Sequence, residues 1–184
     1  MGRLQPVRER LRAETAGAHA RVDAVYSRFD LSCAEDYGRF LQAQAAALIP
    51  LERALDDGIA LDLPIDWPLR RRGQALLDDL SALGLSAPAA EPLPALETTE
   101  AALGTIYVLE GSRLGGALLK RSVSADLPTS FLGAGNSSLW QRLLQALEDL
   151  LPDERSQAAA TGAAKETFDL FERSGRAMLA EAVP

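Results

Sequence analysis

The apolar residues of this chain recur three and four positions apart along most of its length, and no run of alternating β-branched residues interrupts them. That period puts them on one face of a helix, so the spacing predicts an all-α fold. A first helix is expected from about Pro6, a residue suited to an opening turn, to about Tyr26. Leu11, Thr15, His19, Val22 and Tyr26 share the side expected to face the core. Ser32 with Glu35 makes a capping-box pattern ahead of a second helix carrying Tyr37, Phe40, Leu41, Leu48, Leu51 and Leu55, which Asp57-Gly58 ends. Asp66 reads as the cap of a third helix from Trp67 to Leu83, with Gly84 at its C-terminal cap. Three prolines between Leu85 and Pro94 mark a connection. A fourth helical stretch follows from about Thr98 to about Val123, then a loop from Pro128 to Ser138 containing Gly133, Gly135 and Asn136. A fifth helix is expected from Leu139 to Leu150. Pro152 starts the last, which reaches about Ala180 through Phe168, Leu170, Phe171 and Leu179.

A length of 184 residues with 47% hydrophobic content suits one domain, residues 1–184, around one core. The 19 basic and 26 acidic residues leave a formal charge of -7, which repels phosphate backbones and anionic lipid and argues against nucleic-acid and membrane partners. Cys33 is the only cysteine, so no intrachain disulfide and no Cys-rich metal site can form. No apolar run approaches the roughly 20 residues that span a bilayer, and Met1 to Glu14 is of mixed charge. These features together lead to the expectation of a soluble cytoplasmic protein.

Gly104, Gly111 and Gly115 stand seven and four residues apart in the fourth helical stretch, on one face, with Gly116 beside them. Each glycine inside a helix costs about 0.5–1 kcal/mol relative to alanine, so a face of three needs an explanation. Either another helix crosses closely there, or a flat ligand lies against bare backbone. The Gly115-Gly116 pair is a natural place for a kink under both readings.

His19 is the only histidine. On its own it reads as an ordinary core histidine. Asp23, one helical turn on, is placed to accept a hydrogen bond from its Nδ1 and leave Nε2 free for a metal. One imidazole cannot hold a bare zinc or a di-iron centre, whereas it suffices for heme iron, to which the macrocycle gives four nitrogens. Cys33, after Ser32 at a helix start, lacks a second histidine or cysteine to work with. Arg70, Arg71 and Arg72 read as a solvated basic run, with docking of an acidic partner as the lesser alternative. No Gly-rich dinucleotide fingerprint is present, so reducing equivalents must come from another protein.

Two stretches, Leu11–Asp23 and Ile106–Gly116, resemble the proximal-histidine helix and the glycine-rich distal helix of the heme oxygenase family in its bacterial, biliverdin-producing branch. The likeness runs loosely from Leu11 to Glu172, including the aromatic final helix around Phe168. It implies one helical domain that holds heme between the first helix and a kinked distal helix, with His19 as the axial iron ligand and Asp23 orienting it. By the same resemblance Gly111, Gly115 and Gly116 bring backbone over the heme face. Arg12 and Tyr107 contact the propionates, and Lys120 and Arg121 are further propionate partners. Animal-type members place an aspartate after the first distal glycine to anchor a proton-delivering water network. Here that position is Ser112, which leaves Ser112 or Arg113 to hold the water.

The implied activity is cleavage of heme, both cofactor and substrate, to biliverdin of the α type, carbon monoxide and ferrous iron. It uses O2 and electrons from a ferredoxin or a flavoprotein reductase. The product could serve a phytochrome-type photoreceptor, or iron release could be the purpose. Two other readings stay open on sequence: a heme-binding or heme-chaperone protein that leaves its ligand intact, and a helical interaction module in which the glycine face packs a helix and His19 belongs to the core.

Overall fold

The computed structural model describes residues 6–133 and 137–181; Gly135 and Asn136, expected in a loop, lie outside them. Among the described residues there is helix and no strand. Six α-helices carry the fold: α1 (Pro6–Tyr26), α2 (Ala34–Asp56), α3 (Gly73–Ala82), α4 (Thr99–Leu119), α5 (Ser137–Leu150) and α6 (Glu154–Ala180). Short 3-10 turns sit at Ile59–Asp62, Trp67–Leu69 and Lys120–Ser122. No helix among the described residues is long and apolar enough to cross a membrane.

α6 is the axis of the molecule, packing along α4, α1 and α2. The approach to α4 is possible because of Gly104: a Cβ there would collide with the carbonyl oxygen of Ala160 in α6. Close by, the hydroxyls of Thr105 and Thr167 meet at 3.0 Å, so this dry crossing leaves neither unsatisfied. Gly175 does the same for α1, because its missing side chain is the space that Val25 and Tyr26 occupy. α2 supplies the thickest part of the core, with Tyr37, Leu41, Leu48, Leu51 and Leu55 almost fully buried at helical spacing.

Several helix ends differ from expectation. Ser32 does not cap α2. Its hydroxyl donates to Asp30 Oδ1 at 2.6 Å in a local turn, and Cys33 takes the cap position without a side-chain bond. The last helix begins after Pro152: Asp153 is its cap, accepting from the Ser156 amide at 2.8 Å, with the Ser156 hydroxyl closing the box. The third helix is not continuous from Trp67. Asp66 adopts a left-handed conformation with no side-chain cap bond, a 3-10 turn follows, and α3 starts only at Gly73. Gly84, at φ +70, does terminate α3 as expected. Thr98 caps α4 by accepting from the Ala101 amide at 3.1 Å.

Candidate functional site

Because α1 and α4 both lean on α6, a space remains between them. It is a cavity of about 680 Å3, within the roughly 300–1,000 Å3 usual for small-molecule and cofactor sites. Arg12, His19 and Asp23 of α1, Tyr107, Gly111, Ser112, Gly115 and Gly116 of α4, and Phe168 of α6 all line it. The nine residues singled out from sequence therefore meet around one space, although they lie far apart along the chain.

His19 does not join the core as expected; its side chain is 61% exposed. The buried stripe of α1 runs through Val7, Leu11, Thr15, Ala18 and Val25. His19 follows Ala18, about 100° further round the helix, and so turns toward the cavity. Its Nδ1 lies 2.9 Å from Asp23 Oδ2, outside hydrogen-bond geometry, and its ring meets Phe168 edge-on at 5.5 Å between centroids. A carboxylate this close to Nδ1 favours the tautomer that carries its proton there, which leaves the Nε2 lone pair for a metal.

The two explanations for the glycine face divide by position. Gly104 serves the helix crossing, whereas a Cβ built on Gly111 or Gly115 would meet nothing within 4 Å. Both of the latter line the cavity, so bare backbone borders it there. A Cβ on Gly116 would make ordinary contact with Leu132 at 3.6 Å. The helix is unbroken through all of these positions.

Tyr107 is half-buried, with its ring 5.9 Å from Trp140. Burial pushes its phenol up, against an opposing pull from Arg8 and Arg12. These two arginines, one turn apart on α1, give one part of the cavity wall a positive character. Lys120 and Arg121 are exposed on the 3-10 turn beyond α4 and are not among the residues that line the cavity.

The reading of Arg70–Arg72 as solvated surface is overturned. Arg70 is fully buried, with Nη1 3.0 Å from Glu110 Oε2 as an ion pair outside hydrogen-bond geometry. Its Nε donates to the Ile65 carbonyl at 2.5 Å and its Nη2 to the Leu139 carbonyl at 2.8 Å. Burial lowers its pKa, and Glu110 opposes that shift. Arg71 alone is exposed, pairing with Asp56. Arg72 reaches into the cavity wall, where its Nη2 donates to the Leu109 carbonyl at 3.0 Å and to Ser112 Oγ at 2.8 Å. The guanidinium lies 4.9 Å above the Phe131 ring. Phe131 is itself fixed by buried Asp79, whose carboxylate accepts the amides of Ser130 and Phe131. Arg113, the other residue expected to hold distal water, instead pairs with Glu110 at 3.3 Å and donates to the Arg70 carbonyl. It does not line the cavity.

No family model matches the chain. A curated heme oxygenase of Xanthomonas campestris pv. campestris is 32% identical over 146 residues, covering 75% of this chain and 87% of that protein. The chain belongs to the heme oxygenase family. Its activity is accordingly that of a heme-degrading oxidoreductase. The fold agrees: the crystal structure of the NO- and CO-bound heme oxygenase of Neisseria meningitidis matches with a TM-score of 0.81. That match covers 96% of this chain and 94% of the other at 24% identity.

The cavity suits the ligand that membership implies. Heme is flat and apolar over its faces, and it carries two carboxylates on one edge. The wall offers Val22, Phe40, Phe131 and Phe168 for the apolar part, with exposed Leu114, Leu118 and Leu119 at the rim. Arg8 and Arg12 supply cations for carboxylates. Among the described residues no three His, Cys, Asp or Glu side chains cluster to hold a bare metal ion.

Proposed function

We propose that this heme oxygenase binds heme with His19 as the axial ligand and opens it at the α-meso carbon, giving biliverdin, carbon monoxide and ferrous iron. The observation that carries the reading is the joint placement of an imidazole beside a carboxylate and two open glycines around one cavity. Heme supplies the iron at which O2 is bound and reduced. The chain's own residues position and shield. Asp23, 2.9 Å from Nδ1, favours the proton there and so supports Nε2 as the ligand atom. Gly111 and Gly115 leave room for a small ligand, since a Cβ on either would meet nothing within 4 Å. Arg12 and Tyr107 face the cavity from opposite helices, where they can seat the two propionates and so fix which meso edge is presented. Ser112, whose hydroxyl donates to the Leu109 carbonyl and accepts from Arg72, keeps one lone pair on the distal wall to accept from a water in proton delivery.

Electrons come from a separate ferredoxin or flavoprotein reductase. We further take residues 1–184 as one domain that works in the cytoplasm, with its product passed to a biliverdin-accepting photoreceptor or with iron release as the purpose. The test is turnover of the hemin complex with ascorbate, or with ferredoxin and its reductase, followed by pigment analysis. Biliverdin with carbon monoxide is the expected result. Stable hemin binding with no pigment would instead favour a heme carrier of the same fold.

A further inference from the structure

Arg72 belongs to a part of the cavity that neither the axial ligand nor the propionate contacts account for. It enters from the broken segment before α3, where the amides of Arg72 and Gly73 are held by buried Glu52 at 2.7 and 2.9 Å. That anchoring fixes the base of the side chain. At the other end, Nη2 is shared between the Leu109 carbonyl and the Ser112 hydroxyl, and Ser112 in turn donates to the Leu109 carbonyl at 2.8 Å. The guanidinium is therefore fixed against Leu109 and Ser112, in the wall of the same cavity that Gly111 borders, where a Cβ would meet nothing within 4 Å.

The charges around it do not cancel. Glu110, the nearest buried carboxylate on α4, is already engaged by Arg70 and Arg113. Glu52 is spent on two backbone amides. Among the described residues no carboxylate forms an ion pair with Arg72, whose partners are two neutral oxygens and an aromatic face. A cation held this way gains most from an anion arriving next to it. Burial, with Arg113 adding to it, pushes the Arg72 guanidinium down to about 10, which still leaves it charged at neutral pH.

We propose that Arg72 is a positioning residue that holds a fixed positive charge beside Ser112, so that the distal side of this site prefers anionic over neutral small ligands. The proposal rests on the heme site described above. It assigns to a residue outside the distal helix the electrostatic role that Ser112, being neutral, cannot fill.

The experiment titrates the ferric hemin complex with azide, fluoride and imidazole, following the Soret band, in wild type, Arg72→Lys, Arg72→Gln and Ser112→Ala. Arg72→Gln should lose about tenfold or more in azide and fluoride affinity, the size of one charge-assisted hydrogen bond, with imidazole affinity changed less than about threefold. Arg72→Lys should recover part of the loss. Ser112→Ala, which keeps the charge but removes one tether, should lose less than Arg72→Gln. Far-UV circular dichroism checks that each variant is folded. If Arg72→Gln does not fold, the Arg72→Lys and Ser112→Ala values decide, and azide affinity equal to wild type in both overturns the proposal. Equal losses for azide and imidazole would also overturn it, as would weakened hemin binding with azide affinity intact, which would make Arg72 a propionate partner. A wild-type chain that takes up no hemin fails before azide is added and removes the heme reading along with the proposal.

Discussion

Gly104 and Gly111 occupy the same face of α4, seven residues apart, yet alanine at each should move stability in opposite directions. Replacing a helix-interior glycine with alanine gains about 1 kcal/mol in an open environment. Gly111→Ala should collect that gain in the ligand-free protein, since the new methyl meets nothing within 4 Å. At about 2–4 °C per kcal/mol for a domain of this size, its Tm should rise by about 2–4 °C. At Gly104 the methyl meets the Ala160 carbonyl, with the Ala164 amide nitrogen 3.1 Å away. Both obstacles are backbone of α6, which cannot rotate aside. Overpacking costs about 1–3 kcal/mol, and with a rigid obstacle the upper part of that range applies. After subtracting the propensity gain, a net loss of about 1–2 kcal/mol remains, or a Tm lower by about 2–8 °C. Thermal unfolding of the ligand-free variants followed at 222 nm measures both. Shifts of the same sign would refute the division of the glycine face into a packing part and a pocket part.

Gly111→Leu or Gly115→Leu should abolish turnover while leaving the circular dichroism spectrum unchanged, because the side chain enters the cavity and not the core; unfolding of these variants would mean the face packs a helix there. Arg12→Ala combined with Tyr107→Phe should still degrade heme but yield mixed biliverdin isomers, resolved by chromatography of the pigment. Pure α product would transfer the selection to the distal helix. Asp153 is held below the ordinary carboxylate range, first by the Ser156 amide and then by its hydroxyl. Its folded pKa lies below its unfolded one, so its contribution is complete above about pH 4–5 and fades as the pH falls through the folded value. Asp153→Ala should therefore flatten the acid limb of the stability profile, which urea unfolding at stepped pH would detect; an unchanged slope would count against the cap.

The order of helices and most of their limits were readable because apolar periodicity reports which side is buried, and α2 and α6 obey it closely. His19 lines one cavity with the residues it was grouped with, but from an exposed surface and not from the core. Periodicity groups residues within a broad arc, and the edge of that arc, where a cavity opens, carries the same spacing as its centre. The Arg70–Arg72 segment was misread for a different reason. Charge runs lie on solvated faces when the helix continues, but here the chain breaks and two of the three side chains turn inward. The available signal was Gly73 directly after the run: a Cβ there would stand 2.7 Å from Glu52 Oε2, so glycine marks a tight approach to a buried carboxylate. Nothing in local sequence says that Glu110 waits on α4 to receive Arg70, since that pairing depends on how distant helices pack. Gly104 and Gly111 are likewise indistinguishable by spacing, and only the position of α6 separates them.

The most direct measurement on the central claim is the absorption spectrum of the hemin-loaded His19→Ala variant beside wild type, without and with added imidazole. The account expects a histidine-ligated Soret band in wild type, its loss in the variant, and its partial return when imidazole occupies the space between Asp23 and Phe168. An unchanged spectrum in the variant would show that another residue ligates the iron and would contradict the site as assigned.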